Sequence, residues 1–174
     1  DQEKQFPNAT TIGVNAFREM RNRALVSVKI PKISKVESGA FSWNWSIKEL
    51  YAPELVTIGD NAFSVNYIDN IDLPKAVTIE TSAFWHNDAK TLSIPEAQTI
   101  GNSAFQENKL VELNLPKVQT IGSNAFQNNL ITTVTAPVIR RIDKWAFWND
   151  NNVDGNRDGA PDQNPGLKIL GYNI

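Results

Sequence analysis

The chain has 174 residues, of which 41% are hydrophobic, and a formal net charge of −2. This length suits one domain with a continuous core, and the absence of a basic excess argues against a nucleic-acid partner. The sequence contains no cysteine, which excludes disulfides, thiolate nucleophiles and cysteine-based zinc sites. No apolar run approaches the roughly 18 residues of a membrane-spanning helix, so we expect no membrane insertion in this segment.

The N-terminal segment, residues 1–7, is polar and has Lys4 at a position where the later pattern has leucine. A stack of repeats exposes an apolar face at its end unless a polar segment covers it. We therefore interpret residues 1–7 as a polar cap or as the stub of a longer array.

An Ala-Phe pair recurs seven times along the chain, and a β-branched residue precedes each phenylalanine by five positions. Successive phenylalanines are 24, 22, 21, 21, 21 and 21 residues apart. They are Phe17, Phe41, Phe63, Phe84, Phe105, Phe126 and Phe147. A period in this range indicates stacked repeats, each of which buries its core only against its neighbours.

A second block in each repeat predicts a short β-strand. It alternates apolar and variable residues before a proline, as with Leu113 and Leu115 before Pro116. Alternation indicates a half-buried strand, and proline ends the strand because it cannot donate a ladder hydrogen bond. We expect one such strand per repeat, and the strands together form a parallel sheet.

An asparagine lies three residues after five of the phenylalanines. These residues are Asn44, Asn66, Asn87, Asn108 and Asn129. A side-chain amide both donates and accepts, so it can satisfy backbone groups where the chain turns back towards the strand. We therefore predict a buried asparagine ladder, and we expect the sequon that begins at Asn44 to be inaccessible.

The combined string, L-x-x-L-x-L-P-x-x-x-x-I-G-x-x-A-F-x-x-N, resembles the BspA-type bacterial leucine-rich repeat over roughly residues 6–150. The chain departs from it at Glu37, Glu80 and Asp143, where the repeat usually has glycine. We infer that this position does not require a left-handed backbone.

The resemblance implies an α/β-type repeat solenoid in which a parallel sheet of short strands forms the concave face. Turns or short helical segments are expected on the convex face. The domain is expected to span residues 1–174, with about seven repeats, an insertion at 149–166 and a C-terminal half-repeat cap at 167–174. In that cap, Leu167, Leu170 and Tyr172 reproduce the strand pattern, with Leu170 in the register of Val134.

The insertion contains two overlapping D-x-N-x-D-G strings. The candidate ligands are Asp150, Asn152, Asp154, Asn156, Asp158 and Asp162. Alternating oxygen side chains that end in glycine are typical of loops that wrap Ca²⁺. Against this, Pro161 stands where an EF-hand has glutamate, and the alternative is a solvated turn region. No cofactor other than this calcium ion is expected.

The sequence contains one histidine, His86, and no catalytic motif surrounds it or the serines at repeat positions. A catalytic triad needs a nucleophile and a carboxylate held against the histidine. We interpret His86 as a surface or loop-packing residue and expect no enzymatic activity.

Two surfaces are candidates for binding. Outward strand positions, including Tyr51, Asp72 and Asn114, predict a polar face. Aromatic residues outside the repeat register predict a binding site at one edge of the solenoid, because the core does not require them and clustered exposed tryptophan and tyrosine mark protein or sugar contact sites. These residues are Trp43, Trp45, Tyr67, Trp85 and, two or three turns further on, Trp148. The alternative is that they fold inward.

By resemblance, the chain is expected to be an extracellular or cell-surface bacterial module that adheres to a host matrix protein, a cell-surface protein or a glycan. Two alternatives remain open at this point. One is a structural spacer within a larger surface protein, and the other is a carbohydrate-binding accessory domain that uses the aromatic edge.

Overall fold

The computed structural model describes residues 8–20, 25–148 and 168–170, and within them the chain winds into coils with two short strands per coil. The strands before the prolines have three residues each. They are β2 (Ser27–Lys29), β4 (Glu49–Tyr51), β6 (Asn70–Asp72), β8 (Thr91–Ser93), β10 (Glu112–Asn114), β12 (Thr133–Thr135) and β14 (Lys168–Leu170). The strands that end on the β-branched residue have two. They are β1 (Thr11–Ile12), β3 (Lys35–Val36), β5 (Thr57–Ile58), β7 (Thr78–Ile79), β9 (Thr99–Ile100), β11 (Thr120–Ile121) and β13 (Arg141–Ile142).

The two-residue strands form one parallel sheet in the order β1-β3-β5-β7-β9-β11-β13. Equivalent residues pair across successive coils, as Ile58 does with Ile79 and Ile79 with Ile100. Only one strand per repeat was expected, so this continuous second sheet is a finding of the structure. A two-residue strand carries too little alternation to be recognised along the chain.

Of the turns or short helical segments that were expected on the convex face, the structure has turns around each Ala-Phe pair. Residues two before and two after the phenylalanine adopt left-handed φ angles, as Ser103 (54°) and Glu107 (57°) do around Phe105. A right-handed helix cannot continue through such residues, and no helix occurs in the part of the chain that the structure describes. The repeat solenoid and its turns are confirmed, whereas the α/β description is not. No helix in these ranges could cross a membrane.

The phenylalanines stack in a column along the axis of the solenoid. Neighbouring ring centroids are 5.0–5.5 Å apart and the ring planes differ by at most 11°. The isoleucines of β1, β5, β7, β9 and β11 and the alanines beside the phenylalanines from Phe41 to Phe147 are also buried. The core is therefore the one that the periodic apolar positions predict.

The asparagine ladder is confirmed. Asn108 donates to the carbonyl oxygens of Phe84 (2.9 Å) and Phe105 (3.1 Å), and its Oδ1 accepts from the backbone N–H of Ala89 (3.0 Å). Asn87 and Asn129 repeat this pattern in their own coils. Each asparagine thus joins its own coil to the preceding one through buried backbone groups.

The glycines that follow the isoleucine of the repeat, such as Gly59 and Gly101, do not have a left-handed backbone, as expected. Among the described glycines only Gly39, which lies at a different repeat position, has a positive φ. At Gly59 and Gly101 the constraint is on space. A Cβ on Gly101 would lie 2.7 Å from the carbonyl carbon of Glu80, and one on Gly59 would lie 2.9 Å from that of Glu37. A side chain at Gly59 or Gly101 would therefore require the backbone of the neighbouring coil to shift, whereas Glu37, Glu80 and Asp143 are accommodated at the same position of their own coils.

The three-residue strands do not form a continuous sheet. They form strips β2-β4, β6-β8 and β10-β12-β14, so the ladder is interrupted between β4 and β6 and between β8 and β10. We call these two interruptions the seams. An ion pair crosses each of them, Lys75 to Glu54 (2.6 Å) and Lys117 to Glu96 (2.6 Å).

The end of the stack corrects one expectation of register. In β14 it is Ile169, not Leu170, that pairs with Val134, and Leu170 is exposed. Successive strand residues face opposite sides, so the shift of one residue places Leu170 on the outer face. Residues 1–7, 21–24, 149–167 and 171–174 lie outside the described residues. Leu167, Tyr172, the expected N-terminal cap or stub and the insertion are therefore among the residues that are not described.

Candidate functional site

Five ring side chains meet at one edge of adjacent coils. Trp45 is the centre, with ring centroids 5.7 Å from Trp43, 6.2 Å from Tyr67 and 6.0 Å from His86, and Trp85 lies 5.9 Å from His86. We call these residues the aromatic cluster. Trp43, Trp45 and Tyr67 are 40%, 45% and 40% exposed, so they do not fold inward.

The cluster forms where one coil is a residue longer than those that follow it. Phe41 and Phe63 are 22 residues apart, whereas later phenylalanines are 21 apart. Trp43 occupies the left-handed position that follows each phenylalanine from Phe17 to Phe126, but Trp45 (φ 52°) adds a further left-handed residue. For a residue with a side chain this conformation costs about 1–2 kcal/mol.

The longer coil also leaves a buried acceptor without a donor. Asn66 donates to the carbonyl oxygens of Phe41 and Phe63 (both 3.0 Å), but its buried Oδ1 has no hydrogen-bond partner among the described residues. In the next coil, the equivalent oxygen of Asn87 accepts from Ile68. An unpaired buried acceptor costs about 1–3 kcal/mol. The longer coil is therefore destabilised at Asn66, and it carries the exposed Trp45.

A groove of about 760 Å³ lies against the cluster, within the size range of ligand sites. Its walls include Trp43, Trp45 and Tyr67, and its other lining residues are Glu19, Val26, Asn44, Ser46 and Lys48. The Asn44 and Ser46 side chains are buried and bonded to backbone carbonyls. The exposed rings and the charged side chains are thus the groups that a ligand would meet.

His86 occupies a place in this site that sequence analysis did not foresee. Its Nδ1 is 2.7 Å from the Glu107 carboxylate of the next coil, while its ring contacts Trp45 and Trp85. The pair holds the imidazole against the cluster. Lys48 was also missed. Repeat register could have indicated both residues. His86 is two residues after its phenylalanine, as Trp43 is, and Lys48 immediately precedes a strand.

The remaining candidate residues are not brought into the cluster. Trp148 is half-buried and makes no ring contact with the other aromatic side chains that the structure describes. Tyr51, Asp72 and Asn114 are exposed on β4, β6 and β10, which belong to three different strips. Tyr51 lines a second groove of about 740 Å³ with Phe17, Lys29 and Glu49.

The proposed calcium ligands at 150–162 lie outside the described residues. Within the described ranges, no group of three or more histidine, aspartate or glutamate side chains could hold a metal ion. Among the described residues, the pKa of exposed Arg141 is raised by its hydrogen bond to Asp143 and by the charge of that carboxylate. Arg141 lies on β13 and not among the aromatic-cluster or groove-lining residues.

Comparison with known proteins identifies the family. No curated protein and no solved structure matches the chain significantly. The model of the BspA type leucine rich repeat region matches residues 2–108 and 77–154, with six copies of the repeat. The matched ranges cover most of the chain and the same repeats that form the solenoid. The chain therefore belongs to the BspA-type leucine-rich-repeat family.

Proposed function

We propose that this chain is the adhesive module of a bacterial cell-surface or secreted protein and that the aromatic cluster contacts the partner. Leucine-rich-repeat domains are in general non-enzymatic scaffolds that bind proteins, and the family is associated in general with bacterial surface or secreted proteins. The partner is a matrix protein, a cell-surface protein or a glycan chain attached to one.

The observation that carries the proposal is the exposure of three large aromatic side chains at a coil that is one residue longer than the next and leaves a buried acceptor unpaired. Trp43, Trp45 and Tyr67 present ring surface to solvent, and tryptophan and tyrosine are the residues most enriched in binding hot spots. A scaffold that serves only as a spacer gains nothing from this arrangement, since it would be more stable with a coil of ordinary length.

The test compares two alanine variants. Replacing Trp43 and Trp45 together should reduce binding to a panel of immobilised matrix proteins and glycans by at least tenfold, because loss of a hot-spot residue costs about 2 kcal/mol or more. Trp145→Ala is the matched control, since Trp145 is exposed and left-handed but makes no ring contact with the cluster. Its binding should stay within twofold of wild type.

Circular dichroism and melting curves establish that both variants fold. Equal binding by wild type and the double variant would contradict the assignment of the aromatic cluster. Absence of binding by the wild-type protein to every member of the panel would favour the spacer.

A further inference from the structure

The groove against the aromatic cluster is lined by aromatic rings that are steeply inclined to one another. The Trp43 and Trp45 ring planes meet at 69° and those of Trp45 and Tyr67 at 60°, so the rings do not form one flat platform. The side chains that line the groove include two indoles and a phenol, which combine apolar ring surface with N–H and O–H donors. Such walls suit a small ring-shaped ligand with one apolar face and polar edges.

Lys48 supplies the groove with an unpaired positive charge. Some lysines of the solenoid are held by carboxylates, as Lys75 is by Glu54 (2.6 Å) and Lys109 by Asp88 (2.7 Å). Lys48 is one of those that are not, and it lines the groove. Lys48 is exposed and has no carboxylate within 4.0 Å among the described residues. Glu19 also lines the groove but is not free, because it has an interaction of its own within the chain. The groove thus has a cation available for a ligand carboxylate.

The floor of the groove is already fixed. The Asn44 amide donates to the Phe41 carbonyl (2.7 Å), and the Ser46 hydroxyl donates to the Leu25 carbonyl (3.1 Å). Because these groups are held by the backbone, little ordering is required when a ligand enters, and the cost of binding is reduced.

The surroundings of the cluster favour a glycan over an acidic protein segment. His86 is paired with Glu107 and Asp88 with Lys109, and all four side chains are at least 36% exposed. A protein hot spot is normally ringed by contacts that exclude water, and drying these ion pairs would be unfavourable. A glycan chain contacts the ring walls and leaves the neighbouring charges hydrated.

We propose that this groove binds a carboxylated sugar ring of an acidic glycan. The apolar face of the ring stacks on a tryptophan wall, and its carboxylate pairs with Lys48. The inference rests on the proposed function, because it names the chemistry of what the aromatic cluster contacts. It narrows the partner to a molecule that carries uronic acid residues.

The test uses hyaluronan and polygalacturonate oligosaccharides and the same oligosaccharides after reduction of their carboxylates to hydroxymethyl groups. Binding is measured by calorimetry and by quenching of tryptophan fluorescence. The wild-type protein should bind at least one native oligosaccharide, and carboxylate reduction should weaken that binding about tenfold. Added salt should weaken binding of the native form more than that of the reduced form.

Variants assign the two contacts. Lys48→Gln should lose about tenfold in affinity for the acidic oligosaccharide and bind the reduced one as wild type does, and Trp45→Ala should weaken both. Lys90→Gln is the matched control, because Lys90 occupies the same coil position two coils away and does not line the groove. It should bind within twofold of wild type.

Equal affinity for native and reduced oligosaccharides, or equal effects of Lys48→Gln and Lys90→Gln, would overturn the inference. If the wild type binds matrix proteins through Trp43 and Trp45 but no acidic oligosaccharide, the inference fails and the proposed function stands. If it binds neither proteins nor glycans, both fail.

Discussion

Each asparagine of the ladder holds two coils together through groups that water cannot reach. Asn108 satisfies two carbonyl oxygens and one N–H group, and it is itself 6% exposed. Buried backbone groups are costly when they lose their partners. The ladder therefore contributes stability and also fixes the position of each turn relative to the one before it.

Asn108→Ala should lower the free energy of unfolding by about 1–3 kcal/mol, because the buried N–H group of Ala89 loses its acceptor. The Phe84 and Phe105 carbonyl oxygens keep the hydrogen bonds that Asn87 and Asn129 donate. Asn114→Ala, on the exposed face of β10, should change it by less than about 0.5 kcal/mol. Urea unfolding followed by tryptophan fluorescence measures both. Similar midpoints for the two variants would show that the ladder is not a source of stability.

Among the elements, the three-residue strands differ in how completely they pair. The N–H groups that follow β2, β6 and β10 donate to the next coil, as Leu73 does to Ser93 (2.9 Å) and Leu115 does to Thr135 (2.8 Å). At the seams, the N–H groups of Ala52 and Ile94 have no such acceptor in the part of the chain described. The surface ion pairs that cross the seams are each worth at most about 1 kcal/mol and do not replace the missing ladder.

The seams should be visible in hydrogen exchange. The amides of Ala52 and Ile94 should exchange at least tenfold faster than those of Leu73 and Leu115, since exposed or unbonded amides open at low free energy. Exchange followed by NMR gives each rate. Equal protection at all four sites would mean that the ladder is continuous in solution.

The insertion at 149–166 provides a separate element-scale prediction. If the aspartates bind Ca²⁺, millimolar calcium should raise the melting temperature and a chelator should reverse the rise, because a ligand that binds only the folded state stabilises it. Asp154→Asn should remove the effect, since Asp154 belongs to both overlapping strings. Asp72→Asn on β6 is the control and should retain it. An unchanged melting temperature would indicate a solvated turn region.

The features that depend on residue spacing could be predicted from the sequence, whereas those that depend on contacts between coils could not. The phenylalanine column, the buried isoleucines and the asparagine ladder follow from spacing alone. The Thr-Ile strands arise from pairing with neighbouring coils. The left-handed turns tolerate residues as different as Asn61, Ser82 and Trp145, so no residue type marks them. Lys48 and His86 join the site only because stacking brings separate coils together.

At the scale of the whole molecule, each coil has the same architecture and contributes to stability in the same way. Contacts are mainly between adjacent coils, so stability is approximately a sum of coil and neighbour contributions. The aromatic cluster belongs to the coils of Phe41, Phe63 and Phe84, and the coils beyond Phe105 do not contribute rings to it.

Deleting residues 111–131 removes one full period and joins Leu110 to Thr132 in register. We expect this variant to fold, to unfold at a lower urea concentration and to retain the ligand binding of the aromatic cluster. Deleting residues 111–120 removes about half a period and should prevent the remaining coils from stacking in register. Circular dichroism and urea unfolding separate these outcomes, and equal behaviour of the two deletions would contradict the coil-by-coil description.

The in-register sheet of seven strands also determines how the molecule responds to mechanical load. Its hydrogen bonds run from coil to coil, so a force along the solenoid axis acts on one coil boundary at a time and does not shear all of them together. Each 21-residue coil that detaches would lengthen the chain by roughly 70 Å, at 3.3–3.6 Å per extended residue. A partner held by the aromatic cluster would thus be attached to a tether that extends in discrete steps under tension.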